Sequence, residues 1–170
     1  YLSTTILTPA GELNSAGEAN RRAFALFALG EIGAPDTGRL GALYESRQKL
    51  GHYGRALLAM ALERAQPGDA RVKTLLADIE GAVIASATGS HWEEPERDYY
   101  NFFGNTRSSS IALLALARLD TKNAMNPNVV RWLMVARSGD WWETSHETAW
   151  ASLALSEWLE RSGDKNPSYS

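Results

Sequence analysis

The residues best suited by type to do chemistry gather in two short stretches. The first holds His91, Glu93, Glu94, Glu96 and Asp98. A histidine among carboxylates could ligate a metal, or two of the carboxylates could serve as acid and base in glycoside hydrolysis. The spacing matches no metal-ligand motif, so the plainer reading is a charged loop with one histidine. The second stretch is Trp141-Trp142-Glu143-Thr144-Ser145-His146-Glu147. Ser145 beside His146 has the types of a nucleophile and its base, but sequence neighbours rarely meet with the required geometry, and no nucleophile elbow surrounds them. Thr144-x-x-Glu147 accounts for the same polarity as a helix capping box. Trp92, Trp132, Trp141, Trp142, Trp150 and Trp158 could line a sugar or terpenoid cavity. More often such side chains fill the space between helices. Asp36, Asp69, Asp78, Asp98, Asp120, Asp140 and Asp164 are isolated, and neither an aspartate-rich diphosphate motif nor a glycine-rich phosphate loop is present. The sequence therefore assigns no catalytic, cofactor-binding or metal-ligating residue, and the expectation is a chain that is not an enzyme.

Composition narrows the field further. The chain has 170 residues, enough for one domain or a large piece of one. Hydrophobic residues make up 44%, enough to build a core and to argue against disorder. Seventeen basic residues face 20 acidic ones, a net charge of −3 with no run of like charge. That balance gives no electrostatic footprint for nucleic acid or an anionic membrane. There is no cysteine, which excludes a disulfide, thiolate-bound zinc and a cysteine nucleophile within these residues. The longest apolar runs, such as Ala23 to Leu29, fall well short of the roughly 20 residues that span a bilayer. No signal peptide precedes Tyr1, and tyrosine is not a natural start residue, so a fragment is expected.

The elements that must position these residues are helices. Four alanine-rich, almost wholly apolar segments look alike: Ala23 to Leu29, Ala56 to Leu62, Ile111 to Ala117 and Ala149 to Leu155. Alanine and leucine favour helix, and a helix apolar nearly all round is expected to be buried on several sides. Between them lie segments with a single apolar stripe: Leu40, Leu43 and Tyr44; then Val72, Leu75, Leu76, Ile79 and Val83; then Val129, Val130, Leu133 and Met134. Ser15-x-x-Glu18 and Thr144-x-x-Glu147 read as capping boxes, Asn126-Pro127 as an N-cap followed by proline, and Pro67-Gly68-Asp69 as a break and a new cap. Gly51 and Gly139 read as helix ends. The pattern predicts seven helices, roughly 18–31, 38–50, 53–65, 69–86, 106–119, 127–137 and 145–161. Residues 1–14 are expected to be extended, 87–105 to form a long aromatic loop, and 164–170 a frayed tail or linker. The recurrence is too uneven for a strict solenoid. Hairpins closing into a ring, buried helices inside and amphipathic ones outside, fit better, with Ala112, Ala115, Ala151 and Ala154 buried where inner helices meet.

This alternation resembles the α/α toroid shared by terpenoid cyclases, protein prenyltransferases and the thioester domains of complement and alpha-2-macroglobulin proteins. Two stretches resemble the last group. Val130-Arg131-Trp132-Leu133-Met134, then Arg137-Ser138-Gly139-Asp140-Trp141-Trp142-Glu143-Thr144-Ser145-His146-Glu147-Thr148-Ala149-Trp150 and Leu153-Ala154-Leu155, look like that family's closing pattern. His91-Trp92 and Thr106-Arg107-Ser108 with Ala112 to Leu116 resemble its preceding turn and inner helix; residues 18–65 fit more loosely. The resemblance implies an all-α fold, with residues 1–170 forming a single domain: an incomplete toroid of about seven helices, the C-terminal part of a thioester domain. It implies a bacterial, secreted or periplasmic protease trap, located in the periplasm or outside the cell, with any membrane anchorage through a distant N-terminal segment. There a Cys-x-x-Gln thioester, hidden until a protease cuts a bait region, captures an amine of the protease. The implied partners are neighbouring domains of the same large protein and the target proteases, without nucleic acid, membrane contact or cofactor.

The departures are informative. With no cysteine here, either the thioester lies upstream of Tyr1 or the chain belongs to the branch of the family that lacks one; the first is favoured, because seven helices are a little over half of a full toroid. The histidine that complement proteins use falls near Thr4, where there is none, and His52, His91 and His146 do not match it. An amine-preferring thioester is the implied chemistry. The alternatives are an α/α-toroid glycosidase or terpenoid cyclase and a helical protein-binding scaffold. Val130 to Trp142 superficially resembles the triterpene cyclase repeat, but its glutamine and an acidic initiating motif are missing.

Overall fold

The computed structural model describes residues 13, 15–97 and 101–163. The expected extended start (1–12 and 14), the tail 164–170, and Asp98, Tyr99 and Tyr100 of the aromatic stretch lie outside them. The described residues fold as seven α-helices and one short β-hairpin. They cluster into two compact units: residues up to Ala82 with 94–97 and 101–103, and residues 83–93 with 104–163.

The first unit holds α1 (Ala16–Glu31), α2 (Thr37–Glu45), α3 (His52–Ala65) and α4 (Ala70–Glu80). Ser15 is extended, and its hydroxyl accepts the Glu18 amide at 3.2 Å, as the capping pattern predicts. At the other end, Gly33 (φ +78°) donates to Gly30 O and Ala34 to Leu29 O, a Schellman closure that only a left-handed residue permits easily. Asp36 starts α2 and Asp69 starts α4, each accepting an amide of its own first turn. The helix expected over 38–50 is shorter. It ends at Glu45, and a 3-10 turn, Arg47–Lys49, carries the chain to Gly51. Gly51 is therefore the N-cap of α3 rather than a helix end. Asn20, near the start of α1, meets Gly51 at the start of α3, and the Arg64 side chain near the end of α3 lies 3.6 Å from where a Cβ on Gly30 would sit. α1 and α3 thus run parallel, and α4 returns along α3 after the turn at 66–69.

The second unit holds β1 (Ile84–Ser86), β2 (Gly89–His91), α5 (Asn105–Leu119), α6 (Asn126–Ala136) and α7 (Ser145–Ser162). The helix expected over 69–86 stops at Glu80. Gly81 ends it, and β-branched Ile84 opens an antiparallel hairpin closed at Ala87 and Thr88. Met125, not Asn126, holds the N-cap position of α6, without a side-chain capping bond. Asn126 is buried, and its side-chain amide donates to the carbonyls of Asp120 and Thr121 in the preceding turn. Gly139 (φ +64°) turns the tight Ser138–Trp141 bridge after α6 has already ended at Ala136. Glu147 at the start of α7 meets the first turn of α5, and Glu157 near its end meets Arg118 near the end of α5 at 3.2 Å. α5 and α7 therefore also run parallel.

The four alanine-rich segments do not share one environment. Those of α3 and α5 are buried at every position. In α1, Phe24 is 47% exposed, and in α7 only Ala151 and Ala154 of the segment are buried, with Leu153 42% exposed. Alanine permits a close neighbour on any face of a helix but does not supply one. Ala112, Ala115, Ala151 and Ala154 are all fully buried. Ala154→Leu should overpack that site and lower stability by about 1–3 kcal/mol. An unchanged denaturation midpoint would contradict close packing at Ala154.

Candidate functional site

The first unit contains a cleft of about 730 Å³ at the N-terminal ends of α1 and α3. Its floor is a set of backbone amides already engaged by side chains. Gly51 has no side chain to cap α3, so two distant residues do it. Asn20 accepts the Gly51 amide at 3.0 Å, and the Glu94 carboxylate accepts those of His52 and Tyr53 at 2.9 and 3.1 Å. A Cβ on Gly51 would collide with the Glu94 carboxylate, so the glycine is what lets it in. Lys49 closes one side by donating to Leu13 O at 2.9 Å. No tryptophan lines this cleft among the described residues.

The second unit repeats the device. Gly104 precedes α5 and also lacks a capping side chain. The buried Glu147 carboxylate takes its place and accepts the Arg107 amide, and a Cβ on Gly104 would collide with it. Gly51 and Glu94 stand the same distance apart in the chain as Gly104 and Glu147. Glu147 also completes the expected capping box of α7. The Thr144 hydroxyl accepts its amide at 3.1 Å, and its carboxylate accepts the Thr144 amide. Burial pushes the Glu147 carboxyl up, Glu143 adds to the rise, and the bonds from Thr144 and Arg107 oppose it.

The charged stretch from His91 to Asp98 does not act as one group. His91 stacks on Trp132 (centroids 4.6 Å, 3° between planes) and meets Glu93 at 3.2 Å. Glu94 instead caps α3, and Glu96 is exposed on the cleft wall. Asp98 lies outside the described residues, among which no three acidic or histidine side chains are placed to hold a metal ion. Ser145 and His146 are not arranged as nucleophile and base. Ser145 is exposed, and His146 Nε2 accepts the Trp150 indole N–H at 3.2 Å. Burial, and then Arg107, lower the His146 pKa. The tryptophans mostly pack. Trp92 and Trp142 are buried, the Trp142 indole donates to Leu133 O at 2.9 Å, and Trp141 stands 61% exposed.

Sequence reasoning missed the capping roles of Asn20 and Glu94 and the second role of Glu147. A signal was present. Both long buried helices are preceded by glycine, where serine, threonine, aspartate or asparagine is expected. A missing local cap on a buried helix calls for an acceptor from elsewhere in the chain. No protein-family model matches the chain, and no curated protein sequence matches it. Among the described residues, no helix is long and apolar enough to cross a membrane.

Proposed function

We propose that the chain is the C-terminal part of an α/α-toroid thioester domain from an alpha-2-macroglobulin-type protease trap, serving as non-catalytic helical scaffold. The observation that carries this reading is the alternation within each unit. A fully buried alanine-rich helix (α3, α5) is followed by a half-exposed helix with one apolar face (α4, α6) packed back against it. Within each unit, successive alanine-rich helices run parallel, which is how the inner helices of such a ring are laid. The stretch that resembles the family's closing pattern also behaves as a joint. The Trp142 indole ties the turn to α6, Thr144 and Glu147 cap α7, and Ala151 and Ala154 leave room for a close neighbour.

The glycosidase alternative needs two carboxylates free to act on a sugar. Of the carboxylates that reading named, Glu94 is engaged as the cap of α3 and Glu93 meets His91, while Glu96 is exposed on the cleft wall. In the proposed protein the Cys-x-x-Gln thioester belongs to other residues of the domain, since these 170 contain no cysteine. Its partners are the neighbouring domains and the captured protease, in the periplasm or outside the cell. The test is the intact mass of the native protein with and without methylamine. The expected result is a gain of one methylamine and one new free thiol. No gain, in folded protein whose thioester has not already hydrolysed, would overturn the thioester reading.

A further inference from the structure

We propose that Glu147 is a proton-operated latch holding the first turn of α7 on the N-terminus of α5. The geometry gives the carboxyl two jobs at once. It closes the capping box of its own helix with Thr144, and it caps α5 across the interface by accepting the Arg107 amide. The fit is tight, because a single methyl group on Gly104 would collide with the carboxyl, and the side chain is almost wholly removed from water.

The charged and titratable groups at this junction come from three elements. Glu143 stands in the turn before α7, His146 on α7 itself, and the buried Arg107 on α5. Desolvation and Glu143 oppose ionisation of Glu147, while the amides of Arg107 and Thr144 favour it. The balance leaves its pKa raised above the ordinary 4.5. A carboxyl with a raised pKa binds its proton more tightly in the folded state. Its stabilising contribution is therefore complete below about pH 4.5 and is lost as pH rises through the folded pKa. The latch is tighter when neutral and loosens when ionised. Helix α3 offers an internal comparison, where the half-buried Glu94 caps with two amides and belongs to no capping box.

His146 works in the opposite direction. Its lowered pKa means that stability is gained as pH rises toward 6.5. The test is therefore a difference between two chains that both keep His146. Amide hydrogen exchange at Arg107, corrected for the intrinsic rate, would be followed from pH 4 to 8 in the native chain and in Glu147→Gln. The expected result is an opening equilibrium that, taken as the ratio of native chain to variant, grows with pH by up to about tenfold for each unit separating the folded and unfolded pKa of Glu147. Equal pH dependence in the two chains, or opening that shrinks with pH in the native chain relative to the variant, would overturn the latch. Should Glu147→Gln fail to fold, Glu143→Gln gives the second reading. Removing the repelling neighbour lowers the folded pKa, so the rise in opening with pH should be smaller and end at lower pH, and an unchanged rise would count against the proposal.

Discussion

Trp92→Ala should destabilise the second unit by about 3–5 kcal/mol, the cost of emptying a fully enclosed site of that size. Trp92 is 0% exposed and is the largest side chain that is completely buried. Its backbone amide donates to the Ser109 hydroxyl on α5 at 3.0 Å, and alanine would keep that bond. The loss is therefore one of packing, and the cavity would open beside the most buried helix of the unit. Trp92→Phe refills most of the space and should recover more than half of the loss. Against a typical total of about 5–15 kcal/mol, the alanine chain would be near the edge of folding. Urea denaturation followed by circular dichroism at 222 nm reads the result directly. A loss below about 1 kcal/mol would mean that the site collapses freely and that Trp92 does not anchor the segment.

Gly89→Ala should destabilise the same unit by at least about 2 kcal/mol, combining backbone strain with overpacking. Gly89 begins β2 at φ +130°, a region that residues with a side chain rarely enter. An added Cβ would run into the carbonyl oxygen of Asn128 and sit 2.8 Å from the amide nitrogen of Trp132. Both are backbone atoms of α6, so no rotamer change relieves them. The hairpin would have to lift from α6, breaking the stacking of His91 on Trp132 and the bond from Arg131 to Ala87 O. Gly33→Ala is the control, because its φ is also positive but nothing lies within 4 Å of the added methyl. It should lose only the backbone strain, about 1 kcal/mol. Equal losses at the two glycines would show that the hairpin is not pressed onto α6.

Much of the helical framework was legible because its signals are local. Ser15, Asp69 and Thr144 accept amides two or three residues ahead, an interaction complete within a few residues of sequence. The apolar stripes of α4 and α6 placed Val72, Leu75, Ile79, Val129 and Leu133 inside, since a 3.6-residue period keeps them on one face. The same rule misled at Val83. It continues the stripe in register, yet Gly81 has already ended the helix, and the hairpin that follows is held by contacts with α6 far along the chain.

The candidate site was less legible. Types and spacing grouped His91, Glu93 and Glu94; His91 and Glu93 do meet, but His91 also stacks on a tryptophan ring of α6 and Glu94 turns away to backbone amides of α3. Proximity in sequence says little about where a loop carboxylate points, because a change of one rotamer or one turn redirects it. Likewise, four segments of nearly the same composition become two buried helices and two half-exposed ones.

By itself, the sequence determined the all-α class and the seven helices, for these depend on propensity, period and local caps. The tertiary structure alone decided which alanine-rich faces are covered, why Gly51, Gly89 and Gly104 must lack side chains, and that Glu94 and Glu147 serve as remote caps. Those outcomes depend on atoms from segments tens of residues apart meeting within a few ångströms, and only the packed chain brings them together.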